Sequence, residues 1–491
     1  MKKNIIKISL AALTLVVSLT SCERNLDQIS SVNEAEQQAM TRPESFRQAL
    51  DGAYTAFKNT GYYTSDTGSQ LIMGDLTTDN LIYTESGRNS NVSASNFEFF
   101  ADSPQTTGLY SAAYAVVSRA NFVLSYLNNG VLSGAEKKNI EAEARAIRAA
   151  AHFDILRAYS VIPTQKSPAL NKYGIYYSES FNPLNNNSSR NLTVEQSYEK
   201  VINDLLIAAD NITQNDADKG RFSKAAVYGL LSRVYLYQGD YANTVKYGQL
   251  ALGLSPSVTT LANFNSIWKE NEGLAKITDG VLFQISNAAS ERNTVGVAYN
   301  QLIDGQYRSE FVADYDLVNS YAPNDVRKAA YFTTAAYNKK VYNHVTKYAG
   351  NGGPVNIVPV KYLRTAEVLL NVAEASYRSG NEGTALTLLN QLRKERYTSF
   401  TPGAEAGTAL LDAILKERRL ELAFENDRWY TLKRLGMSIK RSGKGDFADG
   451  KGTPAVAQEL PAGSYLWQWP IPITAIQANP NIAQNDGYVK K

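Results

Sequence analysis

The chain has 491 residues, enough for one large domain or about three of average size. Its 50 lysines and arginines nearly balance 47 aspartates and glutamates, and 44% of its residues are hydrophobic. This composition excludes a disordered chain and a small disulfide-stapled scaffold, and the near-neutral charge argues against a nucleic-acid-binding protein.

The first 22 residues have the pattern of a secretory leader. Lys2 and Lys3 precede an apolar run over residues 5–19, which is too short for a stable membrane span. Leu-Thr-Ser before Cys22 resembles a bacterial lipobox, in which the cysteine is acylated, for example with palmitate. The sequence therefore predicts a lipoprotein signal over residues 1–21 and a lipid anchor on Cys22; a plain secreted protein is the alternative.

The rest of the chain is expected to be anchored through this lipid and not to span the membrane. It has no run of 18 apolar residues, and its only cysteine, Cys22, has no partner for an internal disulfide. Without the leader and its three lysines, the basic and acidic residues are equal in number. A polar tether is predicted over residues 22–40, followed by one domain over residues 41–491, with an N-terminal part over about 41–260 and a C-terminal part over about 261–491.

Helical periodicity is clear in several segments after the tether. Apolar residues recur every three or four positions over 43–58 and 135–160, and Thr193 is a predicted N-cap of another helix. Residues 60–108 lack this period and predict a long irregular excursion, and 164–192 predict a second one. The fold class is therefore mainly α with a loop-rich variable part.

Residues 222–256 resemble a tetratricopeptide repeat, a hairpin of two packed helices. The turn is predicted at Gly239, and a weaker copy covers residues 369–392. Thr244 and Gly248 replace the small and aromatic residues that the repeat prefers, which predicts looser packing of the second helix. Residues 262–360 alternate short apolar runs with polar loops, which favours short strands.

Four segments together resemble the SusD/RagB family of outer-membrane nutrient-binding lipoproteins. Their sequences are EARAIRAAAHFD (143–154), RFSKAA leading to LSRVYL (221–236), LRTAEVLLNVAEA (363–375) and ERRLELAFE (417–425). The residues themselves predict no cofactor and no catalytic or metal-binding residue. The resemblance implies tetratricopeptide-like hairpins beneath a loop-rich part. It also implies a SusC-like TonB-dependent transporter as partner, with ligand contacts supplied by the variable loops.

Two features that suggest catalysis have simpler interpretations. Glu417, Glu421 and Glu425 share one helix face and invite comparison with glycosidase carboxylates, but the nearby arginines favour an ion-pair network. Of the two histidines, His152 lies in a predicted scaffold helix, and His344 is expected to be a surface residue in a loop. The sequence therefore predicts a binding protein and not an enzyme.

Two loop regions combine aromatic rings with amide, carboxylate and guanidinium groups, the mixture that binds sugars. We expect these regions to meet and line the ligand site. The first contains Tyr62, Tyr63, Asp75, Asp79, Asn80, Tyr83, Arg88, Asn89 and Asn91. The second contains Asn293, Tyr299, Asn300, Gln301, Asp304, Gln306, Tyr307, Arg308 and Tyr315. The twelve proposed ligand-binding residues among them are Tyr62, Tyr63, Asp75, Asp79, Asn80, Tyr83, Asn89, Tyr299, Asn300, Gln306, Tyr307 and Arg308.

The predicted function is capture of a glycan at the cell surface for delivery to the transporter. A binder of peptides or protein fragments on the same fold is the alternative.

Overall fold

The computed structural model describes residues 40–488 except 86, 166–172, 182–188, 216, 256, 269–278, 288–290, 292–293 and 350–356. The described part is mainly α, as predicted, with sixteen α-helices and ten short strands. The helices are α1 Pro43–Thr55, α2 Gln70–Leu76, α3 Val92–Ser95, α4 Pro104–Tyr126, α5 Gly134–Tyr159, α6 Val194–Asn211, α7 Lys224–Gln238, α8 Tyr241–Leu254, α9 Val295–Tyr299, α10 Tyr315–Asn319, α11 Val326–Tyr331, α12 Thr365–Arg378, α13 Glu382–Lys394, α14 Gly407–Glu421, α15 Arg428–Leu435 and α16 Ile473–Ala478.

The strands pair in twos, and every pair is antiparallel. They are β1 Leu81–Tyr83, β2 Val281–Ile285, β3 Gln301–Ile303, β4 Gln306–Arg308, β5 Phe311–Ala313, β6 Phe332–Tyr337, β7 Lys340–Val345, β8 Val360–Arg364, β9 Ile439–Lys440 and β10 Glu459–Leu460. The pairs are β1–β5, β2–β8, β3–β4, β6–β7 and β9–β10. The short strands expected between residues 262 and 360 are therefore present.

The long helices form the scaffold by packing against neighbours in chain order and, between the two hairpins, against a more distant helix. Helix α5 packs between α4 and α6, and α8 and α12 join the two tetratricopeptide-like hairpins. Local signals in the sequence fix the ends of these helices. Thr193 forms a capping box with Gln196 at the start of α6, as its N-cap position predicted.

Both predicted hairpins are present, as α7–α8 and α12–α13. Their turns use Gly239 and Gly380, with φ of +82° and +81°, a conformation that side chains with a Cβ rarely adopt. Asp240 and Asn381 follow these glycines and accept hydrogen bonds from the first turns of α8 and α13. Each turn therefore both ends one helix and begins the next.

The expectation of loose packing at Gly248 is wrong. A Cβ at this position would lie 2.3 Å from Cγ2 of Val372 on α12 and 3.6 Å from Cβ of Ser232 on α7. The missing side chain lets α8 approach α12 closely, so Val372 fills the volume that an aromatic residue occupies in the repeat consensus. The glycine therefore indicates tight packing between the two hairpins.

Adding a side chain at Gly248 is not expected to stabilise the protein, and a large one is expected to destabilise it. Alanine in a helix normally raises the free energy of unfolding by about 1 kcal/mol relative to glycine, but overpacking a core lowers it by roughly 1–3 kcal/mol. Gly248→Ala should therefore be neutral to destabilising, and Gly248→Phe should be strongly destabilising. Denaturant unfolding measures both effects.

Gly253→Ala is the matched control, because it lies on the same helix with no atom within 4 Å of its Cβ position. It should raise the free energy of unfolding by about 0.5–1 kcal/mol. Equal stabilisation by Gly248→Ala would contradict the close approach of α8 and α12.

The irregular excursion over residues 60–108 contains more structure than its sequence indicated. Helix α2 lies within it, and all seven of its residues are buried. A helix buried on every side has no polar face, so the helical period disappears from its sequence. None of the helices in the described ranges has the length and apolarity needed to cross a membrane.

Candidate functional site

The two predicted loop regions meet in the structure. Strand β1 of the first region pairs with β5 of the second, with Tyr83 opposite Phe311. The Thr84 backbone N–H donates to the Glu310 carbonyl at 3.0 Å, which continues the pairing beyond the strands. The regions are therefore joined by main-chain hydrogen bonds.

Half of the twelve proposed ligand-binding residues are buried inside the protein, which contradicts their expected contact with ligand. Each is at most 2% exposed: Tyr62, Tyr63, Asp75, Asn80, Tyr299 and Asn300. Each makes at least one side-chain hydrogen bond to another protein group, so these residues support the loops from beneath.

The hydrogen bonds of these buried residues show what they hold together. The Tyr62 and Tyr63 hydroxyls both donate to Asp154 Oδ2 on α5, at 2.7 and 3.0 Å. Tyr299 donates to the Leu71 carbonyl at 3.1 Å, and Asn300 Nδ2 donates to the Val345 carbonyl at 2.7 Å. The loop regions are thus fastened to the scaffold and to β7.

Asp75 and Asn80 hydrogen-bond to each other in the interior. Asn80 Nδ2 donates to Asp75 Oδ1 at 2.7 Å, and Asn80 Oδ1 accepts from Arg419 Nε at 2.8 Å. Burial raises the pKa of Asp75 to about 7 although the Asn80 hydrogen bond opposes the shift. Two residues predicted to bind ligand therefore brace the turn before β1.

Asp79 is also committed to the scaffold. Arg428 donates to its two carboxylate oxygens at 2.8 and 2.7 Å, and Arg419 approaches at 3.1 Å. Burial alone would raise the pKa of this carboxyl, but the two guanidinium groups hold it below its usual range. The residue ties the first loop region to α14 and α15.

The other five proposed residues retain exposed surface. Tyr83, Tyr307 and Arg308 are partly exposed, and Asn89 and Gln306 are exposed. We call these five residues the hairpin face, because three of them lie on the β3–β4 hairpin.

The hairpin turns at Asp304 and Gly305, whose φ angles of +49° and +76° fit a two-residue turn matched to strand twist. Its apolar residue Leu302 is 62% exposed. This hairpin therefore presents side chains to the surroundings without burying them in the core.

His344 is buried, contrary to the expectation of a surface loop residue. It lies in β7 with Nδ1 2.8 Å from Ser309 Oγ, and the Tyr307 ring packs 5.6 Å from its own ring, centroid to centroid. Burial lowers the pKa of His344 to about 4, so the imidazole is neutral at pH 7. It supports Tyr307 from below.

Glu310 is a site residue that sequence analysis missed. Its Oε1 accepts from the Asn91 backbone N–H at 2.9 Å and from Asn91 Nδ2 at 3.2 Å, while Arg88 approaches Oε2 at 3.4 Å. Burial raises the pKa of Glu310 to about 7, despite the opposing effect of Arg88. Glu310 therefore fastens the segment that carries Asn89 to β5.

The segment that carries Arg88 and Asn89 also holds the Tyr83 side chain in place. Its hydroxyl donates to the Arg88 carbonyl and lies 3.1 Å from Asn89 Oδ1. The ring is thus held in one orientation while part of its surface stays exposed. No short sequence motif marks Glu310, because its contacts with Asn91 join residues more than 200 positions apart.

The three glutamates on α14 and its C-terminal end form ion pairs, as predicted. Glu417 pairs with Arg327 at 2.6 Å, and Glu425 pairs with Lys347 at 2.7 Å. The arginines near them in sequence pair elsewhere, for example Arg418 with Asp427. In the described part of the chain, no group of three or more His, Cys, Asp or Glu residues could hold a metal ion.

Comparison with known families decides the relationship of this chain. Residues 257–488 match the model of the SusD family, and residues 26–236 match a model described as starch-binding and associating with the outer membrane. The chain belongs to the SusD/RagB family. The two matches together cover most of its length, in the order that the four sequence segments indicated.

Individual SusD-like proteins agree with this assignment. SusD-like protein P2 from Formosa agariphila is 27% identical over 453 residues, which cover 80% of this chain and 85% of the relative. The starch-binding protein SusD of Bacteroides thetaiotaomicron is 29% identical over 148 residues, covering 29% of this chain and 24% of that protein.

The fold has solved counterparts. A SusD superfamily protein from Bacteroides vulgatus superposes with a TM-score of 0.78 at 24% identity, over 92% of this chain and 100% of the other. The SusD-like fold is therefore shared at low sequence identity.

Proposed function

We propose that this SusD/RagB-family protein is a cell-surface lipoprotein that captures a glycan and passes it to a SusC-like TonB-dependent transporter. The hairpin face carries the proposal, because the partly exposed Tyr83 ring lies beside the exposed Asn89 amide, and the hairpin adds the partly exposed Tyr307 ring and the exposed Gln306 amide. Aromatic rings stack on the apolar faces of sugars, and amides hydrogen-bond their hydroxyls. The name of the starch-binding relative supports the same ligand class.

The lipid anchor belongs to the same proposal. Cys22 and the leader lie outside the described residues, so the proposal for them rests on the lipobox-like sequence. Acylation of Cys22 would hold the domain at the outer membrane through the polar tether of residues 22–40. The transporter would then receive ligand from a protein confined to the same surface.

A peptide ligand is the second candidate, and the β3–β4 pair favours it. This pair is a sheet of only two strands, so β3 has an edge without a strand partner in the described structure. An extended peptide can add to such an edge through its own backbone. The exposed Leu302 side chain would suit an apolar residue of the peptide.

Calorimetry of residues 23–491 with neutral oligosaccharides and with mixed peptides tests these alternatives. Saturable heat with one class of oligosaccharide, without cleavage of that sugar by chromatography, is the expected result. Saturation by peptides alone would replace the glycan by the second candidate. Cleavage of a bound ligand would contradict a pure binding role.

A further inference from the structure

A pocket between α4 and α16 lies outside the hairpin face and shares no residue with it. Its volume is about 460 Å³, within the roughly 300–1,000 Å³ typical of small-molecule sites. Tyrosine rings and aliphatic hydroxyls supply most of its polar and aromatic surface: Thr107, Tyr110, Ser111, Tyr114, Tyr176 and Thr474.

The tyrosines form a fixed aromatic wall. The Tyr114 hydroxyl donates to the Tyr176 carbonyl at 2.7 Å, and the planes of the two rings lie within 28° of each other. The Tyr110 ring centroid is 4.8 Å from that of Tyr114, one helical turn away on α4. A wall held in this way loses little conformational entropy when a ligand stacks against it.

The hydroxyls around the wall are arranged mainly as acceptors. Thr107 donates to the Ser103 carbonyl at 2.9 Å, and Ser111 donates to the Gly108 carbonyl at 3.2 Å. Tyr114 has also used its proton. The lone pairs of the Thr107 and Ser111 oxygens can therefore accept from the hydroxyl groups of a ligand.

Every lining side chain that the structure describes is uncharged. The nearby guanidinium of Arg190 points into the protein, where it donates to the carbonyls of Gly174, Ala483 and Tyr159. A charged ligand would lose its hydration without gaining an ionic partner, whereas a neutral polyol with an apolar face would not incur this loss.

We propose that this pocket is a second saccharide site, selective for about one or two neutral pyranose rings. The choice of sugar as ligand class rests on the proposed function, while the location and the neutrality of the ligand rest on the pocket itself. The tyrosine wall would stack on the sugar face, and the acceptor oxygens would bind its hydroxyls.

Ligand-observed saturation-transfer NMR with methyl α-D-glucopyranoside and methyl β-D-galactopyranoside tests the pocket. Tyr176→Ala removes one ring of the tyrosine wall. It is expected to weaken binding of whichever glycoside gives a signal about tenfold, the factor that one stacking contact supplies. Ser111→Met should do the same by filling the pocket from an exposed helix position. Tyr307→Ala is measured in parallel, because it reports any binding of the glycoside at the hairpin face.

Tyr126→Ala is the matched control, since it lies on the same helix about 18 Å along its axis from Tyr114. D-glucuronate serves as the charged probe and should give no response. Thermal unfolding of each variant distinguishes loss of the site from loss of the fold.

The outcomes separate this inference from the proposed function. If neither glycoside binds, or if Tyr307→Ala abolishes binding while Tyr176→Ala and Ser111→Met do not, the second site is wrong and the hairpin face can still bind a longer glycan. Equal binding of glucuronate would overturn the selectivity for neutral sugars. Binding that depends only on Tyr176 and Ser111, with no glycan bound at the hairpin face, would support the pocket and count against the proposed site of capture.

Discussion

Replacing Glu421 by glutamine is expected to lower the free energy of unfolding by about 3–5 kcal/mol, the usual cost of breaking a buried ion pair by removing one partner. Glu421 is fully buried and accepts from Arg364 at 2.8 Å and from Arg396 at 2.7 Å, with Arg327 at 3.2 Å. Glutamine keeps the shape of the side chain but leaves three buried guanidinium groups with less compensating charge. Equilibrium denaturation measures the loss.

Acid titration gives an independent measure of the same group. Burial alone would raise the pKa of Glu421, but Arg396 and Arg364 hold it well below its usual value near 4.5. A carboxyl with a lowered pKa in the folded state stabilises the protein fully above its unfolded pKa and loses that contribution as the pH falls below it. The difference in stability between wild type and Glu421→Gln should therefore shrink on acidification below about pH 4.5.

An exposed pair supplies the control for this prediction. Lys200 and Glu179 are 2.6 Å apart, but their side chains are 40% and 52% exposed. Glu179→Gln should change the stability by less than about 1 kcal/mol, because water screens the pair. A similarly small change in Glu421→Gln would show that the buried network is not what stabilises α14 against its neighbours.

The periodic helices were predictable from sequence, and their packing partners were not. The apolar stripe over residues 135–160 predicted the bounds of α5 to within about one residue, because apolar residues recur along one face of this helix and charged residues lie off that face. The three-glutamate pattern likewise predicted an ion-pair network. Its partners Arg327, Arg364 and Arg396 could not be assigned, since they come from segments 25 to 94 residues away.

The same limit of sequence-based prediction applies to the candidate site. Composition located the two loop regions that meet, but it does not distinguish a tyrosine that supports a loop from one that faces outward. Tyr62 and Tyr83 occur in similar polar sequence, yet Tyr62 is buried against Asp154 and Tyr83 is partly exposed. The prediction of loose packing at Gly248 is wrong for a related reason. The volume left by its missing side chain is filled by Val372, which comes from a distant helix.

Replacing either tyrosine of the hairpin face by alanine is expected to weaken glycan binding about tenfold. A stacking contact contributes roughly 0.5–1.5 kcal/mol beyond buried area, and central aromatic side chains often contribute most of the affinity at a binding surface. Tyr83→Ala and Tyr307→Ala should each raise the Kd for the oligosaccharide that binds in calorimetry. The double variant should lose more than either single one.

Two further substitutions distinguish stacking on the ligand from structural support of the loop. Tyr83→Phe retains the ring but loses the bonds to the Arg88 carbonyl and Asn89, so an intermediate Kd is expected if the hydroxyl also orients this segment. Asn80→Ala does not report on ligand contact. It removes the partner of Asp75 and Arg419 in the interior and should lower stability instead.

The distinction between these two groups of residues makes the site testable. If Tyr83→Ala and Tyr307→Ala leave the Kd unchanged while the protein remains folded, the hairpin face is not where the glycan binds. If affinity falls only in Asn80→Ala together with its stability, the effect comes from the braced turn before β1. Loss of affinity without loss of stability in the tyrosine variants would place the ligand on the exposed rings, with Glu310 and His344 holding them in position from beneath.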